Sequence, residues 1–147
     1  MFIHPCNELG WSGSMEKTFS ELKDKSKPDR WKAVIALEKF GVPAVDYLHK
    51  ALDDEDKWVR YVAVDALGNI GDRRSVDHLT KKLSDLDQDV RFATAMALGN
   101  IGDPKASHAL MQTCNGDNCF VKIAAEEALA KLAGADKQSP GAAQSHM

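Results

Sequence analysis

Leu67-Gly68-Asn69-Ile70-Gly71-Asp72 returns letter for letter as Leu98-Gly99-Asn100-Ile101-Gly102-Asp103, 31 residues further on. A fixed period of this length marks a solenoid of stacked helical units. The period extends beyond the hexapeptide. Val59-Arg60, Val90-Arg91 and Val121-Lys122 keep it, and Ala66-Leu67, Ala97-Leu98 and Ala128-Leu129 follow seven residues behind each pair. One period upstream, with one residue deleted, Arg30 and Ala36-Leu37 fill the same places. A second set, Val45, Leu48 and Leu52, matches Val76, Leu79 and Leu83 and fades to Leu110 and Cys114.

The punctuation is equally regular. Pro28, Pro43 and Pro104 stand where a helix should begin, because the first helical turn tolerates proline. Gly41, Gly71, Gly102 and Gly134 stand where one should end, because glycine accepts the left-handed cap. Asp72 and Asp103 follow directly and can cap the next helix. The pattern predicts longer helices near 28–40, 56–70, 88–101 and 118–133. Shorter ones are expected near 15–25, 43–52, 73–84 and 104–114. Paired short then long, they form four hairpins with no orphan helix: an all-α solenoid over residues 15–134. Residues 1–14 read as a flexible extension and 135–147 as a disordered tail. No hairpin can bury its apolar face alone, so each must stack on its neighbours. The columns Ala33/Ala63/Thr94/Ala125 and Ala36/Ala66/Ala97/Ala128 allow close approach, and Trp31, Tyr61, Phe92 and Ile123 share one position as bulky filling.

At 147 residues the chain is at most one ordinary domain. Its hydrophobic share of 44% and charged share of 28% fit a soluble globular protein. No apolar run approaches the roughly 18 residues that span a membrane. Met1–Gly10 lacks the basic stretch and apolar segment of a secretory signal, which points to the cytoplasm. Three cysteines, an odd number, argue against a disulfide framework. A net charge of −3 argues against general affinity for nucleic acid.

An acid precedes a base by six residues in successive turns: Asp24 and Arg30, Asp54 and Arg60, Asp85 and Arg91, with Gly116 and Lys122 departing in the last. Together with the Val-Arg and Ala-Leu-Gly-x-Ile-Gly-Asp sequences, this resembles the HEAT repeat. The short period is similar to the HEAT-like variant of phycobilin lyase subunits. The resemblance covers roughly residues 15–134. It implies an Asp/Arg ladder across neighbouring turns, drawn from Asp24, Arg30, Asp54, Arg60, Asp85, Arg91 and Lys122. It also implies that the short helices line the concave side. The Gly116 departure suggests a looser last turn.

Some HEAT-like enzymes hold iron with His-Glu pairs. Here the five histidines precede Pro5, Lys50, Leu79, Ala109 and Met147, so that ligand set is missing. Cys114 and Cys119 could join His108 at a metal, but structural zinc usually takes four ligands, the one other thiol, Cys6, lies in the extension, and Cys114 fills a core slot. The nucleophile elbow, the phosphate-binding loop and the dinucleotide fingerprint are absent. Gly68 and Gly99 recur with the repeat as packing glycines. The expectation is therefore no catalytic residues, no metal and no cofactor.

What remains is a surface. With Val76, Leu79 and Leu83 facing the core, Arg74, His78 and Lys81 face out at 100° per residue. The repeat offset adds Tyr47 and Lys50, Lys105 and Gln112, and Lys17 and Ser20. That stripe holds five Lys or Arg and no acid, and it would steer an acidic protein partner. The expected function is a non-enzymatic scaffold or adaptor. The alternative is an accessory role in bilin attachment, with propionates held by the basic groove. The last helix carries Lys122, Glu126, Glu127 and Lys131, a half-polar cap consistent with a monomer or weak homo-oligomer.

Overall fold

Asp56, Asp72, Asp87 and Asp103 each accept a hydrogen bond from the backbone amide two residues on, at 2.8, 2.8, 2.9 and 3.0 Å. These caps fix where helical segments start. Gly71 and Gly102, at φ 75° and 78°, fix where the two central long helices stop. Only glycine takes that backbone at little cost.

The computed structural model describes residues 11–137, and all regular structure among them is helical. The order is α1 (Trp11–Lys23), α2 (Arg30–Glu38), α3 (Val45–Ala51), α4 (Lys57–Ile70), α5 (Val76–Lys82), α6 (Gln88–Ile101), α7 (Ser107–Gly116) and α8 (Cys119–Lys137). Tight 3-10 turns at Val42–Ala44, Arg73–Ser75 and Pro104–Ala106 lead into α3, α5 and α7.

Several boundaries differ from the sequence reading, three of them for a visible local reason or by a whole turn. Helix α1 starts at Trp11, inside the segment expected to be an extension. Helix α2 starts at Arg30, because Pro28 and Asp29 form a turn ahead of it. Helix α8 runs through Gly134 to Lys137, since Gly134 is not among the glycines with positive φ. The rest of the expected extension and tail, residues 1–10 and 138–147, lies outside the described residues.

The helices form two layers. The second helices of the hairpins, α2, α4, α6 and α8, pack on one another in succession and form the long-helix layer, although α2 with nine residues is shorter than α1. Each first helix belongs to the short-helix layer and packs on the second helix that follows it. Leu37, Leu48, Leu67, Leu79, Leu98 and Leu110 are fully buried in the core between the layers. Each such side chain stabilises by roughly 1.5–3 kcal/mol.

The two layers are spaced differently. A Cβ on Gly68 would lie 2.9 Å from the Ala97 Cα, and one on Gly99 would lie 2.9 Å from the Ala128 Cα. The long helices therefore touch backbone to backbone. The short helices hardly approach each other through their backbones. They meet through side chains, as where Phe19 and Tyr47 rings lie 4.8 Å apart and His49 and His78 rings 3.8 Å apart. The two layers thus differ in how closely their helices approach each other.

Candidate functional site

The turns joining short to long helices carry the charged ladder. Arg30 donates to both Asp54 oxygens at 2.7 and 2.9 Å, Arg60 to both Asp85 oxygens at 2.9 and 3.1 Å, and Arg91 to both Asp117 oxygens at 2.7 and 3.1 Å. In each case Nη1 also donates to a carbonyl of its own turn: Leu22, Asp54 and Asp85 at 2.9, 2.8 and 2.7 Å. One planar fork thus ties two successive turns together. Burial pushes the Asp54 and Asp117 carboxyls up, but the arginine forks and the Asp56 and Asn118 amides outweigh it and hold both below the usual range.

Two expected members fall outside this ladder. Asp24 accepts from Ser26 in its own turn, at 2.6 Å from the hydroxyl. Lys122 is exposed, and among the described residues it makes no ion pair. The member missed from the sequence is Asp117, one residue beyond the periodic position at Gly116. The last turn is accordingly clasped rather than loose.

The short-helix stripe is less basic than its composition suggests. Arg74 folds back onto its capping neighbour Asp72 at 2.7 Å, and Lys105 faces Asp77 at 3.4 Å. Tyr47 packs half-buried against Phe19, with the Lys50 ammonium 5.6 Å above the Phe19 ring. His78 is stacked on His49, whose Nε2 lies 2.9 Å from the Ser75 hydroxyl. Lys17, Lys81 and Gln112 are exposed, and Gln112 faces a separate cleft beside Asp85, Arg91 and Asp117. The stripe residues therefore share a layer but not one uninterrupted positive surface. Cys114 sits partly buried against the core, where burial first and Glu126 second push its thiol up, while Cys119 is exposed. Among the described residues no three His, Cys, Asp or Glu converge where an ion could sit.

The long-helix face carries a different signal. Trp58, Phe120 and Ile123 are 51%, 48% and 56% exposed, and Trp31, Tyr61 and Phe92 are half-buried beside them. Trp58 meets Tyr61 edge-on at 6.1 Å, and Phe92 stacks on Phe120 at 4.2 Å. The row crosses all four long helices near their N-terminal ends. A depression of about 380 Å³ lies between Trp31 on α2 and Trp58, Tyr61 and Val62 on α4. A second, of about 230 Å³, lies between Tyr61 and Asp65 on α4 and Phe92, Met96 and Asn100 on α6. Towards the C-terminal ends the seams become polar: Asn69 donates to Glu38 at 3.4 Å and Lys131 to Asn100 at 3.0 Å. The position shared by Trp31, Tyr61 and Phe92 was visible in the sequence, but a 31-residue offset cannot separate filling from exposed ridge. No helix among the described residues is long and apolar enough to cross a membrane.

Comparison with known proteins agrees with this architecture. The complex of CpcE and CpcF of phycocyanin lyase from a Nostoc species is similar at TM-score 0.72 and 28% identity, over 84% of this chain and 55% of that one. Human deoxyhypusine hydroxylase in complex with glycerol is similar in fold, at TM-score 0.81 and 24% identity, over 91% of this chain and 48% of that one. The chain thus spans about half the length of these structures. No curated protein matches it. The family model for HEAT repeats matches residues 15–85 and 74–130. With most of its length covered by that match, the chain belongs to the HEAT-repeat family.

Proposed function

We propose that this protein is a non-enzymatic protein-binding module that recognises its partner through the long-helix face. The observation that carries the reading is the row of large rings on the long-helix layer, with Trp58 and Phe120 about half exposed. Contiguous apolar patches rimmed by polar groups mark interaction sites, and Trp and Tyr dominate binding hot spots. The short-helix stripe is a poorer candidate for an acidic partner, because Asp72 and Asp77 neutralise two of its five cations.

Affinity capture with the full chain tests this. Proteins retained by the wild type should be lost with Trp58→Ser and Phe120→Ser, while Lys50→Glu and Lys81→Glu retain them. Circular dichroism should be the same for all four variants. The opposite pattern would return recognition to the short-helix stripe.

The likeness to the phycocyanin lyase structure supports a second reading, a role in bilin attachment. Flat aromatic walls suit a tetrapyrrole. Mixing the chain with a bilin should then shift the pigment's absorbance, and an unchanged spectrum would remove this reading.

A further inference from the structure

Building on the long-helix reading, we propose that the two aromatic depressions hold a proline-rich segment in the polyproline II conformation, with a basic residue beside Asp65. Three features of the face select this occupant. The first is spacing. The depressions lie on successive seams between long helices, and neighbouring helix axes are about 8–10 Å apart. Three residues of polyproline II advance roughly 9 Å, so prolines three apart meet both depressions. An extended strand repeats its side chains every ~6.6 Å and falls out of step.

The second is hydrogen bonding. The indole N–H groups of Trp31 and Trp58 and the Tyr61 hydroxyl make no hydrogen bond among the described residues. They offer donors around the first depression, whose lining is otherwise apolar. Polyproline II has no internal hydrogen bonds and presents free carbonyls to such donors. An α-helix spends its interior carbonyls on itself and cannot use them.

The third is charge. The cations nearest the rings are already tethered: Lys32, above Trp31, to Asp29 at 3.0 Å, and Lys57, above Trp58, to Asp87 at 3.3 Å. Asp65, on the rim of the second depression, has among the described residues only the Asn69 amide at 3.5 Å. Its carboxylate is available to a basic side chain.

The test uses the full chain and a synthetic dodecapeptide with two Pro-x-x-Pro units ending in arginine, followed by tryptophan fluorescence. Saturable binding is expected. It should weaken at least tenfold with Trp58→Ala and with Tyr61→Ala, at unchanged helical content. With Asp65→Lys, preference should switch to a peptide ending in glutamate. An amphipathic helical peptide should not compete. Absence of saturable binding, or equal binding by the Trp58→Ala variant, overturns the assignment. If captured proteins still depend on Trp58 and Phe120 while the peptide fails, the occupant is wrong and the long-helix reading stands. If neither depends on these rings, both fail.

Discussion

Arg91 passes over the acid of its own turn and clasps Asp117, 26 residues on, at 2.7 and 3.1 Å. Its Nη1 stays behind on the Asp85 carbonyl at 2.7 Å. The arginine is therefore a clip between hairpins. Both side chains are largely buried, at 19% and 14% exposure. Removing one partner of such a pair costs about 3 kcal/mol, because the other is left desolvated and unpaired. Asp117→Ala should lower unfolding stability by about that amount, measured by urea denaturation. Gly116→Asp, which restores the periodic acid, should not compensate in the same background.

Acid should loosen the same clips. Folded-state pKa values of Asp54 and Asp117 are lowered, so their contribution is fully present above the unfolded value of about 3.9 and is lost as pH falls through the folded values. The wild type should lose stability steeply below about pH 4, and Asp117→Asn should show a shallower slope over the same range.

His49 titrates in a separate window. Burial first and the His78 ring second depress its pKa, with Arg74 adding to this and Asp46 and Asp72 opposing. A base with a depressed folded value binds its proton more readily when unfolded. Stability should thus be flat above roughly pH 6.5 and decline below it. His49→Gln, which retains a donor towards Ser75, should flatten that decline in denaturation curves taken between pH 7.5 and 5.5.

The glycines separate packing from propensity. A Cβ on Gly68 would sit 2.8 Å from the Ala97 Cβ, so Gly68→Ala must push two long helices apart. Overpacking of this kind costs about 1–3 kcal/mol, more than the ~1 kcal/mol of helix propensity that alanine adds. Gly134 lies within a helix with nothing near its Cβ direction, so Gly134→Ala should stabilise by about 0.5–1 kcal/mol. Equal effects at the two sites in thermal melts would contradict the close-packed long layer.

The repeats made the helices legible because their caps are local. Asp72, Asp103, Gly71 and Gly102 act within a few residues of themselves. The ladder was only half legible. Its arginines keep strict register, but the acid of the last turn has slipped to Asp117, and the partner of each arginine lies in the next turn. The exposed ring face was least legible of all. The spacing of the long helices is set by Gly68 against Ala97 and Gly99 against Ala128, pairs that meet only in three dimensions. Salt partners such as Asp72 and Asp77 are also invisible to a stripe drawn on one helix face.

Hydroxyl-radical footprinting of the chain, alone and with a captured partner, tests the central claim most directly. The long-helix account predicts that Trp58, Tyr61, Phe92 and Phe120 lose reactivity in the complex while Tyr47 and His78 keep theirs. Protection of Tyr47 and His78 with the long-helix rings still reactive would contradict it.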